Sequence, residues 1–204
     1  MALIGELVPG ETPLTQQDVQ GLKLPLVKTR AHLNAVEGAN ILGGKQWALG
    51  SRNSRIPRML TVEYMQELHR RMLGDVWRWA GEIRTIQLQN EFASSVPDIR
   101  PHLGDLYKDA ADYWLNDKRM SPDEIAVRLH HRVAKIHPFR NGNGRHSRLL
   151  ADLLLDKHFR AAPFTWGGNA GLGNTDPNRQ TYLHGLRAAD KGDYAPLLRL
   201  CRAS

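Results

Sequence analysis

The run His137-Pro138-Phe139-Arg140-Asn141-Gly142-Asn143-Gly144-Arg145, continued by His146-Ser147-Arg148, limits what this chain can fold into more than any other stretch. It lies between two segments with helical apolar spacing. Before it, Ile125, Leu129, Val133 and Ile136 recur at steps of four, four and three, which is one face of a helix. That helix opens on capping signals: Ser121 as N-cap, Pro122 in the first turn, and Glu124 three residues after the cap. Pro138 disfavours helical geometry at His137, so the helix is expected to stop there and leave the imidazole at its mouth. Gly142 and Gly144 permit backbone conformations that other residues resist, and Leu149, Leu150, Leu153 and Leu154 restart the helical period.

A glycine-flanked loop that opens a helix presents unpaired N–H groups, and these make a site for phosphate. Arg145 and Arg148 are three apart, hence on one face, at the helix end where the macrodipole disfavours positive charge. Stability alone would place Asp or Glu there, and a bound polyphosphate would relieve the violation. His137, ordinarily titrating near pH ~6.5, is a candidate proton acceptor beside it. A basic loop with a solvated histidine accounts for the same residues without a ligand.

Seven of these positions resemble the signature of the Fic (Fic/Doc) family, His-x-Phe-x-Asp/Glu-Gly-Asn-Gly-Arg-x-x-Arg: His137, Phe139, Gly142, Asn143, Gly144, Arg145 and Arg148. Leu68-His69, with the run from Asp75 through Trp77, Trp79 and Gly81 to Arg84, is similar to the segment before that family's flap. Arg179-Gln180-Thr181-Tyr182 is similar to the element after its motif. The resemblance spans roughly residues 30 to 200 and is nearest to a bacterial subgroup called mobile mystery protein B. It implies a mainly α, Fic-type helical bundle with a small β-hairpin flap, and transfer of AMP from ATP to a Ser, Thr or Tyr hydroxyl of a protein target. His137 would be the base. Gly142, Asn143 and Gly144 would cradle the phosphates through backbone and amide donors, and Arg145 and Arg148 would neutralise them. Tyr182 and Asp190 would border the nucleotide base. Asn141 stands where most members carry a metal-binding Asp or Glu. Its amide oxygen can ligate Mg²⁺ but brings no charge, so the ion would rest mainly on the phosphates of ATP. That departure leaves open the transfer of another nucleotide or of phosphate, and a nucleotide-binding regulatory module without transfer.

Residues 1–28 read as an N-terminal arm, rich in Gly, Pro and polar residues and without evident chemistry, and residues 29–204 as one domain. Thr29 to Leu49 has helical spacing, with Gly43-Gly44 expected to weaken its later turns. Within it, Glu37-Gly38 resembles the family's inhibitory helix, whose Glu pairs with the second motif arginine, here Arg148. Leu33 replaces the hydroxyl residue of that pattern. An exposed helical glutamate and an inhibitory one are the two readings of Glu37. Thr61 to Leu73 is amphipathic, with Met65, Leu68 and Met72 as core, and Trp77 and Trp79 are packing anchors. From Ile83 the period changes to two: Ile86 and Leu88 alternate with Gln87 and Gln89, which predicts a strand in a small hairpin. As a flap, that edge would receive a target by strand addition; as a plain hairpin it would only be structural. Pro97 to Leu115 returns to helix with Ile99, Leu103, Leu106, Ala110 and Tyr113 facing inward. Asp176-Pro177 opens a helix through Ala189, and Asp193 to Arg202 forms the last one.

The chain carries a net charge of +7 over 204 residues, which favours acidic partners: nucleotides, nucleic acid or an acidic protein face. Its arginines are scattered and its aromatics sit at core spacing, so nucleic acid is a second-tier reading, as is a partner antitoxin of the kind that the bacterial resemblance suggests. His130 and His131 diverge by about 100° around a helix, which argues against a zinc site with His137. No apolar run approaches the ~20 residues of a membrane span. The single cysteine, Cys201, can form no internal disulfide, which suits a reducing cytoplasm.

Overall fold

A computed structural model describes residues 14–50, 52, 54–88, 93–168 and 178–203. A five-residue helix α1 (Gln16–Gln20) is capped reciprocally by Thr15 and Asp18. The long helix α2 (Arg30–Gly50) follows, then α3 (Val62–Leu73), whose N-cap Thr61 accepts from the Tyr64 amide. Gly43-Gly44 does not weaken α2. Gly44 is where α2 crosses α3, and a Cβ there would stand 2.8 Å from the Arg71 backbone and from Met72 Cα. The glycine is kept for close approach, and packing against α3 outweighs its poor helix propensity.

Next come α4 (Ile99–Asp112), α5 (Pro122–Ile136) and α6 (Asn143–Leu154), then α7 (Arg179–Asp190) and α8 (Ala195–Arg202). The α5–α6 pair packs together, α2 and α3 pack on each other and reach α6, α4 packs on α5 and touches α3, and α7 packs on α8, which reaches α5. The shared core holds Leu68, Met65, Met72, Leu129, Val133, Phe139, Leu150 and Leu153, all at or near zero exposure. The apolar stripes expected for α3, α5 and α6 are therefore the buried ones. Tyr113 is not: α4 ends at Asp112, Tyr113 turns out as its C-cap at 63% exposure, and Tyr107 takes the inward aromatic position. Residues 169–177, and with them the Asp176-Pro177 cap, lie outside the described residues.

No strand pairing occupies Ile86, Gln87 or Leu88, and Gln89 lies outside the described residues. The predicted hairpin is thus corrected, among the described residues, to an irregular segment. The reason lies two residues upstream. The Arg84 guanidinium donates to the carbonyls of Ile86 and Ser94, so a side chain fills positions that a cross-strand ladder would otherwise use.

Residues 14–28 lie against the connection after α3: the Lys23 amide donates to the Val76 carbonyl and the Arg78 amide to the Gly21 carbonyl. Asp18, 2% exposed, reaches Arg140 of the glycine-bearing loop at 3.2 Å. This segment, which carries no evident chemistry in sequence, therefore buttresses the loop.

Candidate active site

Ser121 accepts from the Glu124 amide and Pro122 sits in the first turn, so α5 starts where its sequence says it should; the Glu124 carboxylate turns to Arg128 instead of closing a reciprocal cap. The helix ends at His137, whose φ of 53° and ψ of 58° are left-handed. That conformation costs a non-glycine residue roughly 1–2 kcal/mol. It is held by bonds on both sides: the His137 amide donates to Val133 O at 3.1 Å, and the His137 carbonyl accepts from Arg84 Nε at 2.8 Å. The loop then turns through Gly142, at φ 77°, where a Cβ would stand 2.6 Å from Leu73 Cδ1, and α6 begins.

His137 Nδ1 lies 3.0 Å from the Ala134 carbonyl. A carbonyl can only accept, so in the neutral ring Nδ1 carries the proton and Nε2 the lone pair. Burial pulls the pKa of His137 down to about 4, with the nearby Arg84 cation a smaller push in the same direction. The imidazole is therefore neutral and basic at Nε2 around pH 7.

Phe139 is fully buried and stacks on His69 with centroids 3.7 Å apart. His69 accepts from the Gly81 amide at Nδ1 and donates from Nε2 to the Asn141 carbonyl, so one buried ring pins the approach to residue 84 and the loop together. Burial holds it far below the usual histidine range. Asn143 departs from its expected role. Its side chain accepts from the Phe139 amide at 2.9 Å and donates to the Phe139 carbonyl at 2.8 Å, so its amide closes the loop and is not turned to a ligand. Replacing Asn143 with alanine would strand two buried backbone groups at roughly 1–3 kcal/mol each. A loss of about 2–4 kcal/mol in urea-denaturation stability is the expected result.

At the head of α6 the backbone amides of its first turn, starting with Asn143 and Gly144, point into the loop beside Arg145 and Arg148, as a helix N-terminus must present them. Arg148 is 8% exposed and stacks over the Tyr182 ring at 5.6 Å; the Tyr182 hydroxyl meets His130 Nε2 at 3.1 Å. Tyr182 is thereby tied to the motif. Asp190 sits two turns further along α7, held by Lys135 at 2.8 Å and by His131 at 3.1 Å, so the structure groups it with α5. Asn141 Oδ1 accepts from the Gly142 amide at 2.6 Å, which uses one of its two lone pairs and leaves one for a cation.

Glu37 is 2% exposed, which overturns the exposed-glutamate reading. Its carboxylate takes Arg145 Nη1 at 2.8 Å and Trp77 Nε1 at 2.6 Å. The resemblance implies Arg148 as its partner, but the structure gives it the first motif arginine. Arg148 is committed to Tyr182, one helical turn deeper, whereas Arg145 faces α2. Sequence reasoning missed the parts played by His69 and Arg84. Both lie in the stretch similar to the family's pre-flap segment, and their bonds run to backbone groups that no side-chain pattern reveals.

Residues 59–155 match the family model described as the Fic/DOC family. Over 197 residues the chain is 32% identical to a curated Drosophila grimshawi protein named protein adenylyltransferase Fic, covering 89% of this chain and 38% of that protein. Among solved structures, Fic-1 (residues 134–508) from C. elegans superposes with a TM-score of 0.62 at 28% identity, over 89% of this chain and 51% of that one. BepC, a VirB-translocated effector of Bartonella tribocorum solved with bound AMPPNP, has a TM-score of 0.61 at 18% identity, over 91% and 96% of the two chains. The chain thus spans about two-fifths of the curated relative's length, and these likenesses are wider than the single bacterial subgroup that its sequence resembles. Among the described residues, no helix is long and apolar enough to cross a membrane.

Proposed function

From the match of residues 59–155 to the Fic/DOC family model we propose that this chain carries a domain of that family and is a protein adenylyltransferase, moving AMP from ATP to a Ser, Thr or Tyr hydroxyl of a protein target. The name of the curated relatives supports the activity. The observation in this chain that carries it is the pairing of a neutral His137 with the open N-terminus of α6 and its two arginines. In the reaction, His137 Nε2 takes the target hydroxyl proton as that oxygen bonds to the α-phosphorus. The bond from the α-phosphorus to its bridging oxygen breaks, and pyrophosphate leaves against Arg145, Arg148 and the amides of the α6 first turn. Positioning and charge stabilisation do most of the work.

Tyr182 borders the nucleotide base, and the segment Ile86 to Gln89 receives the target chain. Residues 29–204 form the single domain, working in a reducing cytoplasm, where the one cysteine stays a buried thiol. An antitoxin that keeps Glu37 on Arg145 would be a natural partner.

Mg²⁺ would contribute charge on the phosphates when bound, and Asn141 Oδ1 is the loop atom that would face it. Because that atom is neutral and half used, activity is expected to need more Mg²⁺ than a carboxylate would. Asn141→Asp should lower the Mg²⁺ concentration for half-maximal rate by about tenfold, a gain of one charge-assisted contact. A Mg²⁺ titration that does not move would contradict this.

The test is incubation of the protein with labelled ATP, Mg²⁺ and lysate, read as an AMP mass increment on a target that disappears with His137→Ala. A phosphate increment would correct the group transferred. No incorporation, even with Glu37→Gly, would sink the reading. A nucleotide-binding module without transfer is the second reading, favoured by the Glu37–Arg145 pair that already occupies a motif cation. ATP binding without incorporation would select it.

A further inference from the structure

We propose that Arg84 is a positioning residue that locks the target-receiving segment to the catalytic loop, so that a target hydroxyl and His137 are brought into register by one buried guanidinium. The inference rests on the reading of His137 as the base and of the docking edge, of which residues 86–88 are described.

Arg84 is 1% exposed and is among the largest side chains buried in the molecule. Its amide donates to the Pro138 carbonyl at 2.9 Å, and its Nε donates to the His137 carbonyl at 2.8 Å. The two nitrogens thus grip both carbonyls of the step where the chain leaves α5. The other end of the guanidinium holds the docking segment and the residue that leads into α4: Nη1 donates to Ile86 O at 3.0 Å and Nη2 to Ser94 O. Ser94 is in turn fixed to α4, its hydroxyl 2.9 Å from His102 Nδ1.

Three features distinguish this from ordinary packing. A buried charge normally takes a charged partner, because desolvating it alone is costly. Among the described residues Arg84 has no carboxylate, only carbonyls. Its donors are spent on backbone carbonyls of separate segments, so the charge is retained for what it connects. The guanidinium is also planar with a rigid fork of donors, so acceptors on three segments are held in a fixed mutual geometry. Lastly, the residue whose carbonyl Nε holds is the one with strained left-handed backbone, and such strain persists only where the surroundings over-determine it. A shift of Ile86 or Ser94 therefore reaches the His137 backbone through a single rigid group.

Arg84→Lys keeps the charge but cannot reach all three carbonyls. The experiment is amide hydrogen exchange on the full chain, comparing parent and Arg84→Lys at three reporters. These are the residue-84 amide bonded to Pro138 O, the Phe139 amide bonded to Asn143, and the Asp98 amide bonded to Ser95 O; the Leu198 amide in α8 serves as remote control. All three reporters should exchange roughly tenfold faster or more while Leu198 is unchanged. Loss at only one reporter, no loss, or an equal rise at Leu198 would overturn the coupling. Where Arg84→Lys fails to fold, Arg84→Gln, neutral but still a donor, is expected to give the same pattern and is judged by the same outcomes. In a Glu37→Gly background, transfer to the main lysate protein labelled by the parent should show a raised KM for that protein and a lowered kcat, with ATP affinity within about twofold. A change in kcat alone, with both KM values kept, would mark a merely structural residue and overturn the proposal. If the parent transfers nothing, the adenylyltransferase reading fails on its own, and hydrogen exchange still decides whether Arg84 couples the two segments.

Discussion

Changing His137 to alanine is expected to lower AMP transfer by about 10²–10⁴-fold, the usual contribution of a positioned general base, with ATP binding within about twofold of the parent. The prediction follows from the ring's local bonds. Nδ1–H is spent on the Ala134 carbonyl, which fixes the tautomer and leaves Nε2 as the basic atom. Burial holds the pKa at about 4, so the ring is deprotonated across the neutral range. A base is active when unprotonated, and a lowered pKa therefore extends activity toward acid. The rate should be flat near neutrality and fall only as pH drops through about 4. Single-turnover rates across pH check both parts. A rate that falls near pH ~6.5, the unperturbed histidine value, would mean that His137 is not held as described. Residual transfer above about a tenth of the parent rate would mean that it is not the base.

Removing the Glu37 carboxylate should act in the opposite direction. Glu37→Gly frees Arg145 from its 2.8 Å ion pair and removes a buried negative charge from the approach to the α6 N-terminus. A charge-assisted bond is worth about 1.5–3 kcal/mol, so ATP affinity should rise by roughly 10- to 150-fold, and transfer with it. The change also costs about 1 kcal/mol of helix propensity and deprives Trp77 of its acceptor, so stability should drop. Glu37→Gln separates the two effects. It keeps an acceptor for Trp77 and a good helix former while cancelling the charge, and it should raise affinity with little loss of stability. Calorimetry with ATP and a urea titration distinguish them. Unchanged ATP affinity in both variants would show that the pair with Arg145 restrains nothing.

The parts of this molecule that were legible in the sequence are those built on periodicity. Met65, Leu68 and Met72 of α3, Ile125 to Ile136 of α5, and the leucines of α6 announce themselves by spacing, and Ser121 marks a helix start by its own chemistry. The glycine-bearing loop was legible because its arginines put positive charge at a helix N-terminus, where the macrodipole disfavours it. What could not be read was each contact made across the chain to backbone. Arg84 meets carbonyls at positions 86, 94 and 137, and His69 bridges Gly81 and Asn141. Backbone groups leave no compositional trace, so nothing in the sequence signals these partners. Asn143 reads as a ligand donor until the structure shows both ends of its amide closed on Phe139. The exchange of Arg148 for Arg145 as the partner of Glu37 has the same origin. It depends on which arginine of α6 faces Glu37 of α2, a contact between helices that spacing within one helix cannot reveal.

The indole of Trp77 stacks on Trp79 with ring centroids 4.8 Å apart while its Nε1 holds the same carboxylate that occupies Arg145. Whatever lifts Glu37 away must also alter the surroundings of this chromophore. The protein therefore carries its own optical gauge of release, and its ultraviolet emission can follow the departure of Glu37 in real time without any attached dye.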